Sequence, residues 1–216
     1  MKKLLSLVLT LALCASFVFA LSSCTEEDAK EIFENLNKEE WAEALSAPNF
    51  ENVTISYEYT QEGALTKQTA KFTKDGVFRS AKSFDADGKE VGSFDMFFEN
   101  EEADQQRELF LQVFLAIVGD RDNFKYDEAT KLYTAENAEA RVDYEEQNAY
   151  VIEKMKDGKL EFGSDGNVKR FVCNLTESIY HNNELGNSAN LDVEWTFSAY
   201  GTTTITDAEK ANASNK

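Results

Sequence analysis

The chain of 216 residues contains one histidine, one proline and three cysteines, and its 22 basic residues face 40 acidic ones. Each shortage excludes something. A single histidine, His181, cannot build a histidine-rich zinc site, and no HExxH pair occurs. His181 lies in "SIYHNNELGNSAN", which reads as a solvated loop. No GxSxG, SxxK or glycine-rich phosphate loop is present. No metal site, cofactor or catalytic residue is therefore expected, and the chain reads as not an enzyme. Pro48 is the one proline and no Gly/Ser-rich linker interrupts the chain, so nothing marks a second domain. The deficit of base leaves a formal charge of −18, a surface that repels nucleic acid and anionic lipid headgroups. Sixteen Phe, eight Tyr and two Trp accordingly read as core and sheet-face packing, not as base-stacking platforms.

What is present begins at the N-terminus. Met1-Lys2-Lys3 is followed by Leu4 to Ala20, apolar apart from Ser6, Thr10 and Ser16, and then by Glu26, Glu27 and Asp28. A positive start, an apolar middle and small residues at the end form the layout of a secretory signal. The run is shorter than the roughly 20 apolar residues of a membrane-spanning helix. Its end, Leu21-Ser22-Ser23-Cys24, resembles the lipobox of bacterial lipoproteins. That resemblance implies a diacylglyceryl thioether on Cys24, cleavage just before it, and Cys24 as the mature N-terminus. Two or more acyl chains, at about 0.8 kcal/mol per buried methylene, hold a protein on a membrane where one does not. The expected division is 1–23 signal peptide, 24–206 a single lipoprotein domain and 207–216 a flexible polar tail. The place is a cell membrane or outer envelope, with the domain outside the cytoplasm. Removing 1–23 takes Lys2 and Lys3 and no acid, leaving 20 basic against 40 acidic residues. Attachment would then come from acyl chains and not from a basic patch. Cys14 leaves with the signal, and Cys173, in the strand-like "FVCNL", reads as a small buried hydrophobe.

Periodicity supplies the elements. Thr25 with Asp28, and Asn37 with Glu40, look like helix caps; Trp41, Ala44 and Leu45 continue one face, which Pro48 should end. "NVTISYEYT" alternates with period two. "QEG", "KDG" and "DADGK" then turn the chain into Ala64–Thr73, Val77–Phe84 and Glu90–Glu99, a four-strand meander. Asp85, Asp87 and Gly88 share residues with a calcium loop, but the full pattern is absent and a hairpin turn explains them. From Leu109 to Val118 only Gln112 is polar, which predicts a helix buried on most sides. Lys131–Ala135, Ala140–Glu146, Ala149–Lys156, Lys159–Gly163, Asn167–Glu177, Asn190–Phe197 and Gly201–Thr206 read as further strands, with "KDGK" and "SDGN" as turns.

Helices segregated from runs of antiparallel strands mean α+β. A sheet of ten or so strands curls, giving a half-barrel-like sheet with an N-terminal helix and the central apolar helix on its concave face. This order, with the closing "WTFSAYGTTTIT", resembles the half-barrel lipid and lipoprotein carriers of the LolA, LolB and LppX kind. The resemblance implies a hydrophobe cavity, and the side chains expected to line it are Phe110, Phe114, Ile117 and Trp195. Three functions are weighed: a membrane-anchored lipoprotein holding a lipid or other hydrophobic ligand and an envelope scaffold with a filled core that binds another protein, which the sequence hardly separates, and, below both, an enzyme.

Overall fold

The computed structural model describes residues 33–144, 149–163 and 165–214. The segment 1–24 that reads as a signal ending in Cys24, and the cap expected at Thr25 and Asp28, lie outside the described residues. Three helices are described, α1 Lys38–Phe50, α2 Asn100–Val118 and α3 Asp207–Ser214. Nine strands accompany them: β1 Val53–Gln61, β2 Ala64–Thr73, β3 Gly76–Phe84, β4 Glu90–Phe98, β5 Lys125–Asp127, β6 Leu132–Tyr144, β7 Ala149–Phe162, β8 Val168–His181 and β9 Glu184–Ser198. All nine form one antiparallel sheet in the order β4-β3-β2-β1-β9-β8-β7-β6-β5. The sheet is open, with β4 and β5 as its edges, and the fold is α+β.

Two meanders build it. The first, β1 to β4, winds outward from the middle. α2 then carries the chain to the opposite edge, and the second, β5 to β9, winds back until β9 pairs with β1. The turn chemistry is local. Glu62 and Gly63 (φ 50° and 85°) link β1 to β2, and Asn182 and Asn183 (φ 51° and 65°) link β8 to β9. Two positive φ values make the primed hairpin turn that matches strand twist. His181 is thus a hairpin-end residue paired with Glu184, not part of a long loop. At Asp85 the carboxylate accepts the N–H groups of Asp87 and Lys89, so that acid closes its own turn.

α1 starts at a reciprocal cap: the Asn37 side chain accepts from Glu39 and Glu40, and Glu40 accepts from the Asn37 N–H. It ends at Phe50, past Pro48, because Phe50 is held in ring contact with Phe72, Phe114 and Phe197. α2 buries a single stripe, Ala103, Phe110, Phe114, Ile117 and Val118. It is not buried all round: Leu109 is 39% exposed and Leu111 and Leu115 are half-buried.

Other expectations are corrected in the second half. "KDGK" at 156–159 is no turn; β7 runs through it, and β6 likewise joins two expected strands. Gly201–Thr206 is not a strand but a loop tied back to Asn52, which bonds Gly201 and Thr203. The polar end, expected as a flexible tail, carries α3. Thr206 and Glu209 cap that helix reciprocally. Glu209 pairs with Lys71 at 2.6 Å, and Lys210 lies over the Phe97 ring at 4.9 Å. α3 therefore covers the outer part of the sheet face opposite α1 and α2.

Candidate functional site

Alternate side chains of the strands share one sheet face, and α1 and α2 pack on that face through ring contacts such as Phe50 with Phe72 and Phe114 with Phe171. At one end of that face the side chains are closed in. Val53 and Ile55 of β1, Phe72 of β2, Phe171 of β8 and Leu160 of β7 are all fully buried. α1 and α2 supply the cover through Trp41, Leu45 and Phe114, each at 0% exposure. Trp41 is fixed further by its Nε1–H, which donates to the Val118 carbonyl at 2.8 Å.

Toward the other end the same face opens. On β1, Tyr57 and Tyr59 are half-buried; on β2, Gln68 and Thr66 are. On β4, Phe94 is half-buried and Met96 is 44% exposed. Leu191 of β9, Ile179 of β8 and Val151 of β7 follow the same trend. Apolar positions thus continue where the covering is partial.

The four residues expected to line a cavity are brought together, but as packed core. Phe110 and Phe114 lie 6.0 and 5.4 Å from the Trp195 ring, and Ile117, 5% exposed, belongs to the same cluster. A hollow of about 410 Å³ opens elsewhere, where Glu58, Thr60, Asn174, Asp192 and Glu194 line it. None of the four lines it. Its walls are mixed: Leu65, Val172, Cys173 and Val193 line it beside polar side chains that are already paired, Glu58 with Lys67, Glu194 with Arg170, and Asn174 donating to Asp192.

Three charged side chains, Arg79, Glu153 and Glu177, also stand on this face, and alternation alone does not single them out. Arg79 of β3 is half-buried. Its guanidinium donates to Gln106 Oε1 at 2.7 Å and Gln68 Oε1 at 3.4 Å and lies 5.0 Å from the Phe110 ring centre. Burial pulls its pKa down. Glu153 of β7 and Glu177 of β8 are register partners. Glu153 is 6% exposed, and its Oε2 finds no hydrogen-bond partner among the described residues. Burial, and then the Glu177 charge, push the Glu153 carboxyl up to about 7; burial raises Glu177 as well. Burial also raises Tyr57. The Cys173 thiol is buried and pushed up to about 12, which fits a packing role over a nucleophilic one. The signal that could have found these groups is a charged residue at a core-facing position of an alternating strand, legible only once register is known.

Among the described residues no group of three or more His, Cys, Asp or Glu could hold a metal ion. Among them, too, no helix is long and apolar enough to cross a membrane. The fold and face define an α+β protein with one large open antiparallel sheet, closed by helices at one end of one face. No protein-family model matches the chain, and no curated protein matches it.

Proposed function

We propose that this is a lipid-anchored lipoprotein of the cell envelope, held by acyl chains on Cys24 and not an enzyme. It binds a lipid or other hydrophobic ligand on the helix-bearing face of its sheet. The anchor reading rests on the order of charge, apolar run, small residues and cysteine over residues 1–24. The ligand reading is carried by one observation: core-facing apolar side chains continue beyond the closed end, as Tyr57, Tyr59, Phe94, Met96 and Leu191. Apolar side chains left partly covered beside a packed core offer a hydrophobic ligand a surface to lie on. We read the sheet as curled, with α2 on its concave side. Strand-to-strand twist of about 20–25° accumulated over nine strands supports that reading. The ligand site moves accordingly from Phe110, Phe114, Ile117 and Trp195 to the open end beside them.

A filled-core scaffold that binds another protein is the second reading, favoured by the tight aromatic packing around Phe114. Native mass spectrometry of protein extracted from its membrane separates the two. A co-purifying lipid near one per chain supports the ligand reading. A bare mass that does not change when lipids are offered supports the scaffold. For the anchor, Cys24→Ala should remove the acyl mass and leave the signal uncleaved; a lipidated, processed variant would refute it.

A further inference from the structure

Five arginines occur in the chain. Arg107, Arg141 and Arg170 each pair with a carboxylate. Arg121 donates to the main-chain carbonyls of Phe124 and Glu34. The Arg121 Nε is likewise buried without a partner among the described residues, but Arg121 lies over the Trp41 and Tyr133 rings inside the closed end, whereas Arg79 stands where the face opens. Its side chain is steered by two neutral side-chain amides, Gln106 on α2 and Gln68 on β2. Its Nε is buried without a partner, and among the described residues no carboxylate pairs with it.

A guanidinium is charged at every physiological pH. Leaving it half-buried and uncompensated is costly, and a chain with 40 acids had the means to neutralise it. The site is also built. The fork is oriented by two acceptors, backed by the Phe110 ring and flanked by its register partner Met96, which is exposed, and by half-buried Phe94. An oriented cation bordered by open apolar side chains matches a molecule with an anion at one end and a hydrocarbon at the other. A planar fork binds carboxylate or phosphate through paired N–H donors. We propose that Arg79 anchors the anionic head of an amphiphile, a carboxylate or a phosphate, whose hydrocarbon chain lies over Phe94 and Met96. This deepens the ligand reading and rests on it.

The test uses the processed, anchored protein in phosphatidylcholine nanodiscs. A palmitate carrying a diazirine, or its methyl ester, is added and irradiated, and the labelled peptides are mapped by mass spectrometry. The acid is expected to label β3 and β4 about tenfold more than the ester, the size of one charge-assisted interaction. Arg79→Gln should abolish that preference and Arg79→Lys should retain part of it. Met96→Glu, at an exposed position, offers Arg79 an internal counter-ion and should also abolish it, so the proposal stays testable if Arg79→Gln misfolds. Competition by unlabelled palmitate assigns a carboxylate head; competition by lysophosphatidate assigns a phosphate head. Equal labelling by acid and ester leaves the hydrophobe reading standing and overturns the role of Arg79. Labelling by neither overturns both.

Discussion

The tripeptide Lys-Asp-Gly occurs twice, at 74–76 and at 156–158, and the two copies do opposite things. At the first, Thr73 pairs with Gly76, so Lys74 and Asp75 form a tight turn and the chain reverses. At the second the chain continues as β7. Lys156 pairs with Asn174 and Lys159 with Val172, so Asp157 and Gly158 stand against Cys173 alone. Two residues opposite one is a β-bulge, and Asp157 takes the positive φ, 53°, that it needs. The local chemistry is the same. The second copy differs because β6 and β8 flank it on both sides and extend beyond it. Strands already paired on two sides turn a reversal signal into a bulge.

The largest expected effect breaks the first copy. A Cβ on Gly76 would stand 2.6 Å from the Phe98 carbonyl oxygen and 2.8 Å from the Phe97 ring, at φ 155°. Neither backbone nor packed ring yields, so Gly76→Ala should cost about 3 kcal/mol or more in urea unfolding. Next is Glu153, on the bulged strand, with Glu177, Tyr57 and Cys173 as its titratable neighbours. Its folded pKa of about 7 exceeds the ordinary 4.5, so the folded state binds the proton more tightly. The stability it contributes is complete below pH 4.5 and is lost as pH rises to about 7, on the order of 2–3 kcal/mol. Glu153→Gln should flatten that part of the stability–pH curve; an unchanged slope would contradict the burial argument.

The second copy should be more forgiving. A Cβ on Gly158 meets the Met155 sulfur at 2.7 Å, and a thioether can swing aside. Gly158→Ala should cost about 1 kcal/mol; a loss equal to that of Gly76→Ala would erase the distinction between turn and bulge. Smallest is Asp157→Gly, which relieves a left-handed residue and should gain about 0.5 kcal/mol in thermal unfolding.

Much of the first meander was legible. Ala64–Thr73 is read to the residue, and the Asn37–Glu40 cap stands where spacing places it. The second meander was legible as strand but not in its joints. "HNNE" hides a two-asparagine hairpin, and "KDGK" at 156–159 has the local chemistry of a turn but lies within β7. α3 was missed because its signal is weak in isolation: eight residues become a helix through Glu209 reaching Lys71 and Lys210 reaching Phe97. Short helices are marginal alone and gain their stability from tertiary contact. The candidate site was half legible. The apolar helix and Trp195 could be named, but that Phe110 and Phe114 close against Trp195, leaving the opening at Tyr59 and Met96, depends on how far α1 and α2 reach.

Neighbouring residues settle the alternation with period two, the turn at Glu62-Gly63, the α1 cap, the acidic composition and the succession of charge, apolar run, small residues and cysteine over residues 1–24. Each depends on side-chain and backbone preferences acting over a few residues. Long-range packing sets the rest: Ile55 pairs with Phe197, one end of the face is sealed, and Arg79 meets two glutamines and, among the described residues, no acid. Those outcomes turn on which distant segments come together, and the free energy that chooses among pairings is shared over the whole sheet and core.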